Sequence, residues 1–318
     1  MKPIIVAIDF SNPSLNAAYY AADLAKSLNT DIILIHVIEL PVTASHVSRT
    51  KMEFDALEHS AHSNIENLQR KLIDRTRNKI KVHAKVEYGT VNFEIEKFAR
   101  EKNPFAIVVG IKSHATARRF FLGSNALRFI HHSIFPILLI PENASFQKIK
   151  NIAIASDLIS HENDISVLHT KQWLNALHVP PSIIHVKTKS ETEEWINAGI
   201  KDLQNIFTEF SPKYCFINEK EVAEGINTFV NDDKTDLLIV TPEKHGLLEP
   251  LLIKSNSKEI ILHSQIPVLS IFSGSASKSK NSESENSHSH HHSCRKCTGN
   301  CEKRMNPKST IDETHLTA

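Results

Sequence analysis

The sequence predicts an α/β protein built twice in tandem, each copy a five-stranded parallel sheet with helices on both faces, followed by a segment without a fold. Three observations lead there. Short runs rich in Ile and Val alternate with longer stretches whose apolar residues recur at steps of three and four. The landmarks of the first part return in the second. From Ser273 onward the periodicity stops and Ser, Lys, Glu and Asn take over. The expected divisions are residues 1–145, 146–273 and 274–318.

In the first copy, strands are expected near residues 3–8, 32–37, 80–86, 106–109 and 137–140. Leu15, Ala18, Ala22, Ala25 and Leu28 form the apolar stripe of a first helix, with Ser11 or Asn12 as its cap and Pro13 in its first turn. Leu57, Ala61, Ile65, Leu68 and Leu72 do the same for a second helix, and Gly89-Thr90-Val91 turns into a third. In the second copy, Ile196, Ile200, Leu203, Phe207 and Phe210 mark one helix and Val222, Ile226, Phe229 and Val230 another.

The repeat is read by pairing landmarks. Ile4 to Asp9 recurs as Ile152 to Asp157, and Leu34-Ile35-His36-Val37 as Ile183-Ile184-His185-Val186. Ile107 to Gly110 recurs as Leu238 to Thr241, and the strand after Pro136 as the strand after Pro267. The offset falls from 148 or 149 in the early pairs to 131 in the late ones, so the second copy lacks a block corresponding to part of Val42 to Arg77.

Composition narrows the function. The 37 basic and 36 acidic side chains of the 318 residues leave a formal charge of +1, which gives no global field for nucleic acid or an anionic membrane. The apolar start is broken at Asp9, and no run approaches the roughly 20 apolar residues of a membrane span, so a cytoplasmic protein is expected. Only Cys215 lies ahead of the tail, so no disulfide framework is expected to hold the fold.

The chemistry-bearing stretch begins where Ala106-Ile107-Val108-Val109 runs into Gly110. A basic loop with Lys112, His114, Arg118 and Arg119 leads from there to Gly123-Ser124 and an amphipathic segment. Glycines at a strand end and at a helix start let backbone N–H groups converge on a phosphate with no Cβ in the way. Together with Asp9-Phe10-Ser11, His36-Val37, the Gly89 turn and the strand Pro136 to Pro141, this spacing resembles the universal stress protein family, and the repeat resembles a tandem member of it. The resemblance implies Rossmann-like domains with an adenine nucleotide, ATP with Mg²⁺, held at the carboxyl ends of the strands.

Carried over residue by residue, the resemblance implies nucleotide contacts from Ala7, Asp9, Val37, Gly110, Ser113, Gly123, Ser124 and Asn125. Asp9 would address the nucleoside, the Val37 backbone the adenine, and the loop residues the phosphates. Ser113 stands where the family pattern has a second glycine. A Cβ in a left-handed position there costs roughly 1–2 kcal/mol, about tenfold in affinity. The second copy has Thr241, Lys244, Lys254 and Ser255 at the loop positions, so its cradle has lost every glycine. It is expected to keep the fold without the nucleotide site and to pair with the first copy about a pseudo-twofold axis.

The tail carries His288 to His292 and then Cys294, Cys297 and Cys301 in a C-x2-C-x3-C run. His290, His292, Cys294, Cys297 and Cys301 are the ligand types and spacing for zinc or copper(I). Thiolates beside Arg295, Lys296 and Lys303 also suit redox sensing. No nucleophile elbow, Walker lysine or zinc-protease motif is present. The expected function is therefore non-enzymatic: ATP-dependent regulation of a protein partner in a stress response, with no catalytic residues. Two other readings stand beside it, a nucleotide-free scaffold and a metal or redox function of the tail.

Overall fold

The computed structural model describes residues 1–39, 51–112, 133–159, 164–187, 191–242 and 256–272. The first half runs β1 (Ile4–Ile8), α1 (Asn12–Leu28), β2 (Ile32–Ile38), α2 (Lys51–Thr76), β3 (Val82–Tyr88), α3 (Val91–Lys102), β4 (Ala106–Ile111) and β5 (Ile137–Pro141). The second runs β6 (Ile152–Ala155), α4 (Ile165–Leu177), β7 (Pro181–Val186), α5 (Glu193–Phe207), β8 (Lys213–Ile217), α6 (Val222–Asp232), β9 (Leu237–Val240), α7 (Asn256–His263) and β10 (Val268–Ser270). One 10-stranded sheet contains them all, in the order β3-β2-β1-β4-β5-β10-β9-β6-β7-β8. Each half has the same internal order, and within each half every pairing is parallel. The halves meet where β5 pairs antiparallel with β10, Leu138 opposite Leu269.

Successive strand residues point to opposite faces, which sorts the core into two layers. Ile4, Val6, Leu34, Val108 and Leu138 face one way with α1 and α2, and in the second half Ile152, Ile183 and Leu269 continue that layer. Ile5, Ile35, Ile107 and Leu139 face the other way with Ile95 and Ala99 of α3, continued by Ile184, Ile226 and Leu238. Strands buried on both faces account for unbroken runs such as Ile-Ile-Val-Ala-Ile in β1.

α1 is seated unusually close to the sheet because its inner face is alanine: Ala17, Ala18, Ala21, Ala22 and Ala25 are all fully buried. Ser11 caps it, accepting from the Ser14 N–H, and Asn29 ends it in the left-handed conformation. Along α2 the residues Ala61, Ile65, Leu68 and Leu72 are buried, whereas Leu57, expected inward, is 42% exposed; Phe54 and Glu58 are the neighbours that meet Tyr88 of β3. β3 starts later than expected and continues to Tyr88, and β4 does not stop at Val109 but continues through Gly110 to Ile111. α2 has 26 residues and its counterpart α5 has 15, which is where the second copy is shorter.

The seam is tied on both sides. Asn16 of α1 donates to the carbonyls of Pro141 and Ala144, and Tyr20 sets its ring edge-on to Phe146 at 5.2 Å. The Asp236 carboxylate accepts from the Lys150 and Asn151 N–H groups, and Phe105 stacks on Trp173 at 4.6 Å. Burial, and then the Asp236 charge, push the Tyr20 hydroxyl upward, so it stays protonated. Met1–Ala276 accordingly forms one compact unit. Among the described residues no helix is long and apolar enough to cross a membrane.

Candidate functional site at the carboxyl ends of the first-half strands

In the first half the chain progresses from β1 to β2 to β3 on one side and from β4 to β5 on the other. The strand order therefore reverses between β1 and β4, and the carboxyl ends of strands at such a reversal are where sheets of this kind form a ligand crevice. Ala7 lies in β1 opposite Ile35, Val37 near the end of β2 opposite Glu87, Asp9 just beyond β1, and Gly110 near the end of β4 opposite Ile140. β1 lies between β2 and β4, so these four residues sit on three adjacent strands at one end of the sheet. Ser113, Gly123, Ser124 and Asn125 lie outside the described residues, as do His290, His292, Cys294, Cys297 and Cys301 and the whole segment 274–318.

Asp9 organises the start of α1. One carboxylate oxygen accepts from the Ser11 N–H at 2.9 Å and from the Ser11 hydroxyl at 2.6 Å. The Ser14 hydroxyl donates to the Ser11 carbonyl and accepts from the Asp9 N–H. Burial raises the Asp9 carboxyl, but the bonds from Ser11, Ser14 and the backbone outweigh it and the net shift is downward. Asp9 is therefore a carboxylate held in a fixed direction at the strand end. The turn it closes onto Ser11 and any ligand role use the same geometry.

Gly110 has a different reason from the one its sequence position suggested. It is not the turn that ends the strand. A Cβ placed there would stand 2.2 Å from the Pro13 carbonyl oxygen and 2.6 Å from the Ser14 nitrogen. The glycine is what lets the first turn of α1 lie directly against β4, and it thereby delivers a helix N-terminus to the crevice.

Two features escaped the sequence reading. Phe10 adopts φ 61°, a left-handed conformation rare for a bulky residue, between Asp9 and the Ser11 cap. Its ring lies 4.7 Å from that of His36, whose Nδ1 is 2.7 Å from the Ile8 carbonyl. The bond ties the end of β2 to the end of β1. The signal that could have found it is the return of the same Asp and His landmarks in the second copy. Among the described residues no cluster of His, Cys, Asp and Glu could hold a metal ion.

The fold and the site can be set beside known proteins. The sequence model of the universal stress protein family matches residues 1–141. Universal stress protein MJ0531 of Methanocaldococcus jannaschii is 26% identical over 141 residues, 44% of this chain and 81% of that protein. Universal stress protein G of Shigella flexneri is 26% identical over 142 residues, 44% of this chain and 98% of that protein. A universal stress protein structure from Archaeoglobus fulgidus matches in fold with a TM-score of 0.68 at 17% identity, over 84% of this chain and 97% of that one. That likeness extends the shared fold over both halves. Residues 1–141 match the universal stress protein family in sequence, and the second half repeats the Rossmann-like fold of the first.

Proposed function

We propose that the first half binds an adenine nucleotide, ATP with Mg²⁺, in the crevice between β1 and β4, and that its nucleotide state governs association with a protein partner in a cytoplasmic stress response. The observation that carries this reading is the convergence of Ala7, Asp9, Val37 and Gly110 at the reversal of strand order, in the half that matches the family. The residues present fit such a ligand. A fixed carboxylate suits ribose hydroxyls, which are hydrogen-bond donors, and the backbone beside Val37 offers groups to a base edge. Gly110 lets the start of α1 lie directly against β4, which brings that helix N-terminus to the same end of the sheet.

Phosphates would be held by Ser113, Gly123, Ser124 and Asn125 through backbone and hydroxyl groups. Asp9 is the acid this reading places beside the nucleotide, and its carboxylate is engaged by Ser11, which suits binding rather than proton transfer. The protein is accordingly read as a regulator and not as an enzyme. Calorimetric titration of Mg-ATP into the full chain tests this. The expected result is saturable binding that Gly123→Val abolishes, with Asp9→Ala weakening it by about tenfold through a lost charge-assisted bond. Affinity unchanged in both variants would place the nucleotide elsewhere.

A further inference from the structure

The second half carries a buried ionisable pair that the first half lacks among its described residues. At the end of β7, His185 is 4% exposed, and its Nδ1 lies 3.0 Å from the Ser156 carbonyl, repeating the His36 contact. Its Nε2 lies 2.9 Å from a carboxylate oxygen of Glu191. Rings of Trp195 and Phe216 stand 6.1 and 6.3 Å from the imidazole and wall it from water.

The hydrogen count decides what this pair holds. A carbonyl oxygen only accepts, so Nδ1 carries a hydrogen. If the ring were neutral, Nε2 would then point a lone pair at the lone pairs of a carboxylate in a low-dielectric site. The contact is attractive only with a second proton between Nε2 and the Glu191 oxygen. We propose that His185 and Glu191 hold one proton as a buried imidazolium–carboxylate latch, and that releasing this proton to solvent frees the head of α5 from β7. Glu191 immediately precedes Thr192, the cap of α5, whose hydroxyl accepts from the Trp195 N–H and whose carbonyl accepts from the Ile196 N–H. The first turn of α5 is therefore what the latch secures.

The charged groups on the surrounding elements are Asp157 at the end of β6, Lys187 just beyond β7, and Glu191, Glu193 and Glu194 at the head of α5. The Lys187 ammonium lies over the Phe216 ring at 5.2 Å, and β8 presents that ring to His185. Asp157 accepts the Ile159 N–H within its own turn.

The test is ¹⁵N NMR of the histidine rings in the full chain, assigned with His185→Asn, together with amide exchange at Trp195 and Ile196 between about pH 6 and 9, which brackets the ordinary imidazole range. Exchange is read relative to the intrinsic chemical rate. In the wild type both ring nitrogens of His185 are expected to be protonated at the acid end, with protection of the two amides falling by roughly tenfold or more as the proton is lost. Glu191→Gln can donate its amide hydrogen to a neutral ring, so protection should persist across the range. Glu191→Ala should lack it throughout. An unprotonated Nε2 at the acid end, or identical pH profiles for wild type and Glu191→Gln, would overturn the proposal.

Discussion

The turn after β1 and the turn after β6 are built alike, yet they lead to different helix starts. Asp9 and Asp157 each accept an N–H two residues on, Phe10 and Leu158 follow at φ 61° and 64°, and His36 and His185 each reach back to a strand-end carbonyl. After that the halves part. α1 begins at Asn12, whereas α4 begins only at Ile165, capped by Asp164. The early start presses Pro13 onto β4, which requires Gly110. The second half has Thr241 at the position matching Gly110. The shortened α5 brings its own close contact instead: a Cβ at Gly199 would stand 2.6 Å from the Leu158 side chain. The shared turn belongs to the fold, and the glycine beside α1 belongs to the packing of the first half.

The largest expected effect comes from adding a side chain between β4 and the start of α1. Gly110→Ala forces a Cβ into the Pro13 carbonyl and should cost about 2–3 kcal/mol in chemical denaturation. Thr241 lies just beyond β9, half-buried, and Thr241→Gly should remain within about 1 kcal/mol, the ordinary entropic cost of a glycine. Equal costs at the two positions would erase the distinction. A smaller effect belongs to the seam. Asn16→Ala leaves the Ala144 carbonyl without the Asn16 donor, while the Pro141 carbonyl keeps only the Ala144 N–H, and should cost about 1–2 kcal/mol, seen also as faster exchange of amides flanking the linker.

The smallest effect is a pH dependence. The folded state holds the Asp9 carboxyl below its ordinary value, so it binds that proton less readily than the unfolded chain. The stability gained is complete above the ordinary Asp range and is lost as pH falls through the lowered value. Asp9→Asn should flatten this acid limb of the stability profile, while Asp157→Asn, for comparison, reports the second turn.

Much of this was legible in the residues, and the exceptions have physical causes. Ser11 as cap, Pro13 in the first turn and the Gly89 turn, at φ 143°, follow from side-chain chemistry that acts within a few residues. The difference between α2 and α5 was present as a change in repeat offset. Leu57 shares the helical spacing of the buried residues, but Phe54 and Glu58 beside it take the contacts with Tyr88 of β3 and Leu57 stays exposed. The sequence points to a phosphate cradle at Gly110 and hides its packing role, because Pro13, the group it accommodates, is remote in sequence and meets it only once α1 packs on β4. The left-handed Phe10 gave no signal, since nothing in phenylalanine favours that conformation and the Asp9 and Ser11 bonds on either side hold it there. Asn16 reaching a carbonyl 125 residues away is likewise invisible until β5 and α1 are adjacent. Of the proposed site, the strand-end residues converge, while the Gly123 loop and the Cys/His segment lie outside the described residues.

The asymmetry between the halves is tested most directly by the stoichiometry of nucleotide binding. Calorimetric titration of Mg-ATP into the full chain should give one nucleotide per chain, with the site lost in Gly123→Val and unaffected by Thr241→Gly. Two nucleotides per chain, or one that survives Gly123→Val, would contradict the assignment of the site to the first half, and no binding at millimolar ATP would contradict the nucleotide reading altogether.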